Sequence, residues 1–141
     1  MFSFEAFVLG NENSIFTVFY NIVHNAIKYS FIRPGNNLSD VVISVSEHPF
    51  EFHLSITNRG LRFPKEELES GNLFKFGVRG SVSSDRNRKG HGVGLWHAKK
   101  TIDEMDGKIE IESEPIDKFS QRLDTPHFNT VKLIIKKILD Q

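Results

Sequence analysis

The stretch Asn11-Glu12-Asn13-Ser14-Ile15-Phe16-Thr17-Val18-Phe19-Tyr20-Asn21-Ile22-Val23-His24-Asn25-Ala26-Ile27-Lys28-Tyr29 carries two messages in one helix. Ile15, Phe19, Ile22 and Ala26 recur at steps of four, three and four, which is helical rather than strand spacing. Asn11 or Asn13 can cap its start. A second row, Asn21, Asn25 and Lys28 with Tyr29 beside it, runs along the same helix roughly 100° round from the apolar stripe. Polar side chains bordering a buried stripe can line a cleft. An amide oxygen suits magnesium beside a polyphosphate, an amine neutralises phosphate, and a phenol ring lies against a base. The same four residues also describe the wet side of an ordinary amphipathic helix.

Downstream, Arg33-Pro34-Gly35-Asn36-Asn37 breaks the helix as a loop. Val41 to Ser46 and Glu51 to Thr57 read as strands, the second with Phe52, Leu54 and Ile56 alternating with polar neighbours. With only His48-Pro49-Phe50 between them they form an antiparallel hairpin. Gly60 to Pro64 is a loop, Lys65 to Ser70 a helical turn or two ended by Gly71, and Phe2 to Val8 a short strand ahead of the first helix. From Gly77 to Gly94 the chain is rich in glycine, serine and bases, a composition that predicts a long mobile loop.

That loop ends in Lys89-Gly90-His91-Gly92-Val93-Gly94-Leu95, an alternation of glycines opening a helix. Leu95, Ala98, Ile102 and Met105 make the helix's apolar face, and Gly107 is its expected stop. Glycines let backbone approach an anion, and a helix start offers free N–H groups. A Walker loop would need Gly-Lys-Ser or Gly-Lys-Thr here, and a dinucleotide fingerprint would follow a strand directly. Nucleotide binding and a flexible hinge both fit the motif. Arg79, Arg86, Arg88 and Lys89 can close over phosphate or form a solvated surface. Lys108 to Ser113 and Thr130 to Ile138 read as two further strands around a polar loop, Pro115 to Pro126. Two helices segregated from at least four strands predict an α+β domain: a two-layer sandwich with a mixed sheet and helices on one face.

Composition bounds the rest. One domain fills the 141 residues, with no repeat or linker to divide it. Eighteen basic residues balance eighteen acidic ones, so an anion must be held locally and nucleic acid is not an expected partner. The absence of cysteine removes disulfides, cysteine nucleophiles and thiolate zinc sites. The thirteen phenylalanines are core filling. No His-Glu-x-x-His pattern occurs and no two histidines stand four apart on a helix. No apolar run suffices to span a bilayer and the first residues lack a signal peptide's basic flank, so a cytoplasmic segment without direct membrane insertion is expected.

The order of an Asn/Asn/Lys helix, a hairpin ending in Thr57-Asn58-Arg59-Gly60, a basic loop and a glycine-led helix resembles the ATP-binding catalytic domain of sensor histidine kinases. That domain shares a superfamily and a Bergerat-type fold with gyrase B, the Hsp90 chaperones and MutL. The resemblance runs from about Asn11 to Ser113. It implies that Asn21 to Tyr29 is similar to the N box, with Asn25 giving oxygen to magnesium, Lys28 reaching phosphate and Tyr29 flanking adenine. Leu73 to Gly80 is similar to the opening of an ATP lid, with Arg79 a γ-phosphate contact, and Gly90-His91-Gly92-Val93-Gly94-Leu95 to the G2 box. Asn58 and Gly60 stand where the family holds adenine.

Departures from the family pattern bear on activity. Asn58-Arg59-Gly60-Leu61-Arg62 replaces the usual Asp-x-Gly-x-Gly, so adenine would meet a neutral acceptor, at a cost of about 1 kcal/mol or fivefold in affinity. Arg62 replaces the second glycine, and its side chain must point away from the nucleotide or obstruct it. Where gyrase-like members carry a glutamate base, Asn21 takes no proton, so phosphoryl transfer is expected over hydrolysis. The resemblance thus implies Mg-ATP as cofactor, and a phosphoacceptor histidine on a separate dimerisation domain. It also implies a response regulator downstream and a monomer for this segment alone. The alternative is a degenerate pseudokinase, a nucleotide-responsive or partner-binding module without kinase activity.

Overall fold

The computed structural model describes residues 8, 10–31, 40–63, 94–117 and 126–138. Helix α1 (Glu12–Tyr29) starts at Asn11, whose side-chain oxygen accepts from the Ser14 N–H at 3.1 Å. Such a cap contributes about 1 kcal/mol. Val18, Ile22 and Ala26 form its buried line, with Ile15 and Phe19 only half-buried, so the observed stripe is turned slightly from the expected one.

Strands β1 (Val41–Glu47) and β2 (Glu51–Gly60) form the expected hairpin, in register from Val41 opposite Asn58 to Glu47 opposite Phe52. Helix α2 (Gly94–Glu104) is followed by β3 (Lys108–Pro115) and β4 (His127–Lys136), giving a four-stranded sheet in the order β1-β2-β4-β3. All three pairings are antiparallel, which corrects the expected mixed sheet among the described residues. Parallel strands need a crossover, and the chain does supply one from β2 through α2 to β3. However, β4 inserts between those two strands, so the parallel pair never touches.

Register sorts the side chains by face. Leu54 stands opposite Leu133, Ile56 opposite Val131, and Ile109 and Ile111 flank the same residues from β3. Against this face pack Val18, Ile22 and Ala26 from α1 and Ala98 and Ile102 from α2, making one core. Each large aliphatic side chain removed from water there contributes about 1.5–3 kcal/mol. Both helices therefore lie on one face of the sheet, as the sequence predicts.

Helix α2 ends differently from expectation. The left-handed residue is Asp106, with φ 59°, and the Gly107 N–H donates to the Ile102 carbonyl at 2.9 Å. Glycine is required at 107 for another reason: a Cβ there would lie 2.5 Å from the Ile134 carbonyl oxygen of β4. Of the expected strand Phe2 to Val8, only Val8 is described, in an isolated bridge to Lys137. The expected turns at Lys65 to Ser70 and the loop from Gly77 to Val93 lie outside the described residues.

Candidate functional site

The end of α1 is joined to the end of β2 by backbone. Ser30 bridges Gly60, and the Phe31 N–H donates to the Arg59 carbonyl at 2.8 Å. A Cβ on Gly60 would stand 2.5 Å from the Tyr29 carbonyl oxygen, so only glycine lets the helix end approach the strand this closely. This contact sets Tyr29 beside Asn58, whose amide nitrogen is 3.1 Å from that same Cβ position. Ser30 closes the helix by donating its hydroxyl to the Ala26 carbonyl at 2.5 Å.

Asn58 is 7% exposed, on the helix-bearing face of β2 with Ile56. Asn21, Asn25, Lys28 and Tyr29 are half-buried along α1, and the Lys28 Nζ stands 5.3 Å from the Tyr29 ring centroid. The start of α1 and the end of α2 meet where Gly10 is packed against Ile15 and Met105. Helix α2 packs against α1, its Ala98 and Ile102 in one core with Val18, Ile22 and Ala26. The structure thus gathers Asn25, Lys28, Tyr29, Asn58 and Gly60 around the top of α1. Arg79, Gly90, His91, Gly92 and Val93 lie outside the described residues.

Polar residues that sequence reasoning passed over stand at this end of the sheet. Asn129 is buried and directly opposite Asn58. Its carbonyl accepts from the Ser113 hydroxyl at 2.5 Å, and its amide donates to the Leu61 carbonyl at 2.7 Å. Ser113 in turn accepts from the Phe63 N–H at 3.2 Å. The segment leaving β2 is therefore pinned to β3 and β4 around Arg62, which is half-buried with its Nε buried and unbonded. His127, opposite Gly60, is buried at the same end. The signal was parity: Asn129, Val131 and Leu133 alternate onto one face, but the polar run before Thr130 reads as loop.

Two carboxyls titrate below their ordinary range, and neither belongs to this site. Glu51 is lowered mainly by its hydrogen bond with His53, and Asp106 by its hydrogen bond with Lys136. No group of three His, Cys, Asp or Glu among the described residues can hold a metal ion. No helix among them is long and apolar enough to cross a membrane.

A two-layer sandwich with an Asn/Lys helix clamped to an Asn-x-Gly strand end defines an ATP-binding domain of the Bergerat type. The chain belongs to the family of histidine kinase-, DNA gyrase B- and HSP90-like ATPases, whose model matches residues 10–128. Among its relatives, the sensor-like histidine kinase SenX3 of Mycobacterium tuberculosis is 32% identical over 108 residues, 77% of this chain and 25% of that protein. Sensor protein RprX of Bacteroides fragilis is 31% identical over 109 residues, 76% of this chain and 20% of that protein. The chain thus spans about a quarter or less of these relatives. In fold it matches the mycobacterial sensor histidine kinase MprB at a TM-score of 0.70 and 20% identity, covering 92% of this chain and 74% of that one. The catalytic domain of histidine kinase ThkA matches at 0.65 and 22%, covering 92% and 71%. The chain is a histidine-kinase-type ATPase domain, and ATP binding is its family's property.

Proposed function

We propose that this chain is the catalytic, ATP-binding part of a sensor histidine kinase, moving the γ-phosphoryl group of Mg-ATP to a histidine on a separate helical dimerisation domain. The observation that carries this reading is the placement of Asn58, 7% exposed at the end of β2, beside Gly60 and the backbone end of α1 at Tyr29. An adenine amino group would donate to its side-chain oxygen, and the Tyr29 ring would cover the base.

Along α1, Lys28 and Asn25 then lie toward the phosphates. Magnesium keeps waters and takes few protein ligands, so the Asn25 oxygen would be a sufficient contact from the described residues. When bound, the metal neutralises phosphate charge. Lys28 and Arg79 add positive charge where the transferring group becomes more exposed, and Gly90, His91, Gly92, Val93, Gly94 and Leu95 provide backbone N–H groups and a fold for the lid. Asn21 neither takes nor gives a proton at neutral pH, so it orients groups without activating water. Catalysis by this chain is positioning and electrostatics.

Asn25→Ala is expected to abolish magnesium-dependent nucleotide binding while circular dichroism stays that of the native fold. Unchanged affinity would remove Asn25 as the metal ligand. Supplying a matching histidine hairpin with labelled ATP is expected to give phosphohistidine, which a response regulator would accept downstream from a cytoplasmic domain. Asn58 in place of aspartate and the half-buried Arg62 favour a second reading, a nucleotide-responsive module without kinase activity. Absence of phosphohistidine with nucleotide bound would select it.

A further inference from the structure

Asn58 carries both kinds of hydrogen-bonding group on one carbon, an accepting oxygen and a donating nitrogen, whereas an ionised carboxylate only accepts. The two ends of the amide exchange by a half-turn about the last side-chain bond, whose preference is broad and roughly two-fold. The side chain is 7% exposed on the helix-bearing face of β2, with its nitrogen 3.1 Å from where a Cβ on Gly60 would stand. Glycine at 60 therefore leaves the amide room that alanine would take. The polar neighbours are held elsewhere. Asn129, directly opposite, accepts from the Ser113 hydroxyl and donates to the Leu61 carbonyl. Ser30, bridged to Gly60, donates its hydroxyl to the Ala26 carbonyl. Their hydrogen bonds thus run to β3, to the segment leaving β2 and to α1. No carboxylate occurs in Asn25 to Phe31, in Ser55 to Phe63 or in the paired stretch His127 to Lys132. The formal charges in those stretches are basic: Lys28, Arg59, Arg62 and Lys132.

We infer that Asn58 makes the site read two purine edges rather than one, so that nucleoside triphosphates with an oxo group at the 6-position are taken as well as ATP. This rests on the nucleotide-binding reading proposed above and names the substrate class of the same site. With its oxygen toward the base, Asn58 accepts from the 6-amino group of adenine. After the half-turn its nitrogen donates to a 6-oxo group, as in hypoxanthine or guanine. A carboxylate in the same place would meet that oxo group acceptor against acceptor, and a buried site rejects a ligand that leaves its polar groups unpaired. The basic residues of the three stretches oppose no oxo group. Asn58 is therefore a specificity-determining residue: it sets which base is held and takes no part in moving the phosphoryl group.

Inosine triphosphate isolates this edge, because its base carries the 6-oxo group without the 2-amino group of guanine. In isothermal titration of the full chain with magnesium, inosine triphosphate is expected to bind within about tenfold of ATP, and uridine triphosphate at least about tenfold more weakly than either purine. Asn58→Asp is expected to widen the gap between the two purines by about tenfold or more, ATP gaining and inosine triphosphate losing, with an unchanged far-UV spectrum. A native preference for ATP beyond about tenfold would overturn the inference and leave the site an ATP site. A gap that does not widen in N58D would overturn it too, as would uridine triphosphate bound as well as the purines, since the 6-position would then go unread. Should N58D fail to fold, the native comparison decides alone. No binding of any triphosphate up to millimolar concentration would overturn the nucleotide-binding reading itself, and the inference with it.

Discussion

At Gly60 the absence of one methyl group lets a helix end and a strand end meet. A Cβ there would press on the Tyr29 carbonyl, which is backbone and cannot rotate away. Gly60→Ala is therefore expected to cost about 1–3 kcal/mol in urea unfolding, the range for overpacking a closed contact. It is also expected to weaken nucleotide binding, because Tyr29 and Asn58 would separate. A variant that binds nucleotide normally but melts early would show that the contact serves only the fold. Asn58 gives the complementary test. Asn58→Asp restores a charged acceptor, and nucleotide affinity is expected to rise about fivefold by calorimetry. A fall in affinity would mean that the amide's own N–H groups face the ligand.

Elements show where the sequence was legible and where it was not. The helices were readable because Ile22, Ala26, Ala98 and Ile102 repeat at helical spacing and are buried for that reason. The hairpin was readable because His48-Pro49-Phe50 leaves too little chain for anything else. β2 runs three residues past the expected Thr57 because Asn58, Arg59 and Gly60 are held by pairing with Asn129, Phe128 and His127, a long-range fact that no local pattern carries. The α2 stop was misplaced one residue because glycine serves two needs, left-handed turns and close approach, and only packing tells them apart. Of the site, the α1 residues and Asn58 were visible in sequence order, while Asn129 and Ser113 were hidden in stretches that look like loop.

Packing strength should follow burial along α2. Ile102→Ala is expected to cost about 2–5 kcal/mol, since it empties a fully buried position. Asp103→Asn removes only an exposed i, i+4 pair with Lys99 and should stay within about 0.5 kcal/mol. Equal losses in thermal melts would contradict the core assignment. After the helix, the exposed Asp106 carboxylate holds Lys136 at 2.8 Å and titrates below its ordinary range. Its folded-state pKa is depressed, so its contribution to stability is present above the unfolded pKa and is lost as pH falls through the folded one. Lys136→Met is expected to move the Asp106 titration, followed by carboxyl NMR, back up toward the ordinary value. An unmoved titration would mean another group sets it.

At the scale of the whole molecule, an uncharged balance of side chains gives no general attraction for anions, so ATP binding must come from one built place. The fold brings the end of α1 and the end of β2 together on the helix-bearing face of an antiparallel sheet. On the proposed reading Asn58 and Arg62 would set the strength of binding there, and Asn25 would make it depend on magnesium. Isothermal titration of the chain with a non-hydrolysable ATP analogue, with and without magnesium, tests this most directly. Saturable binding at one site per chain, strengthened by magnesium, is the expected result. No binding up to millimolar nucleotide would contradict it and mark the domain as a silenced, partner-binding relative.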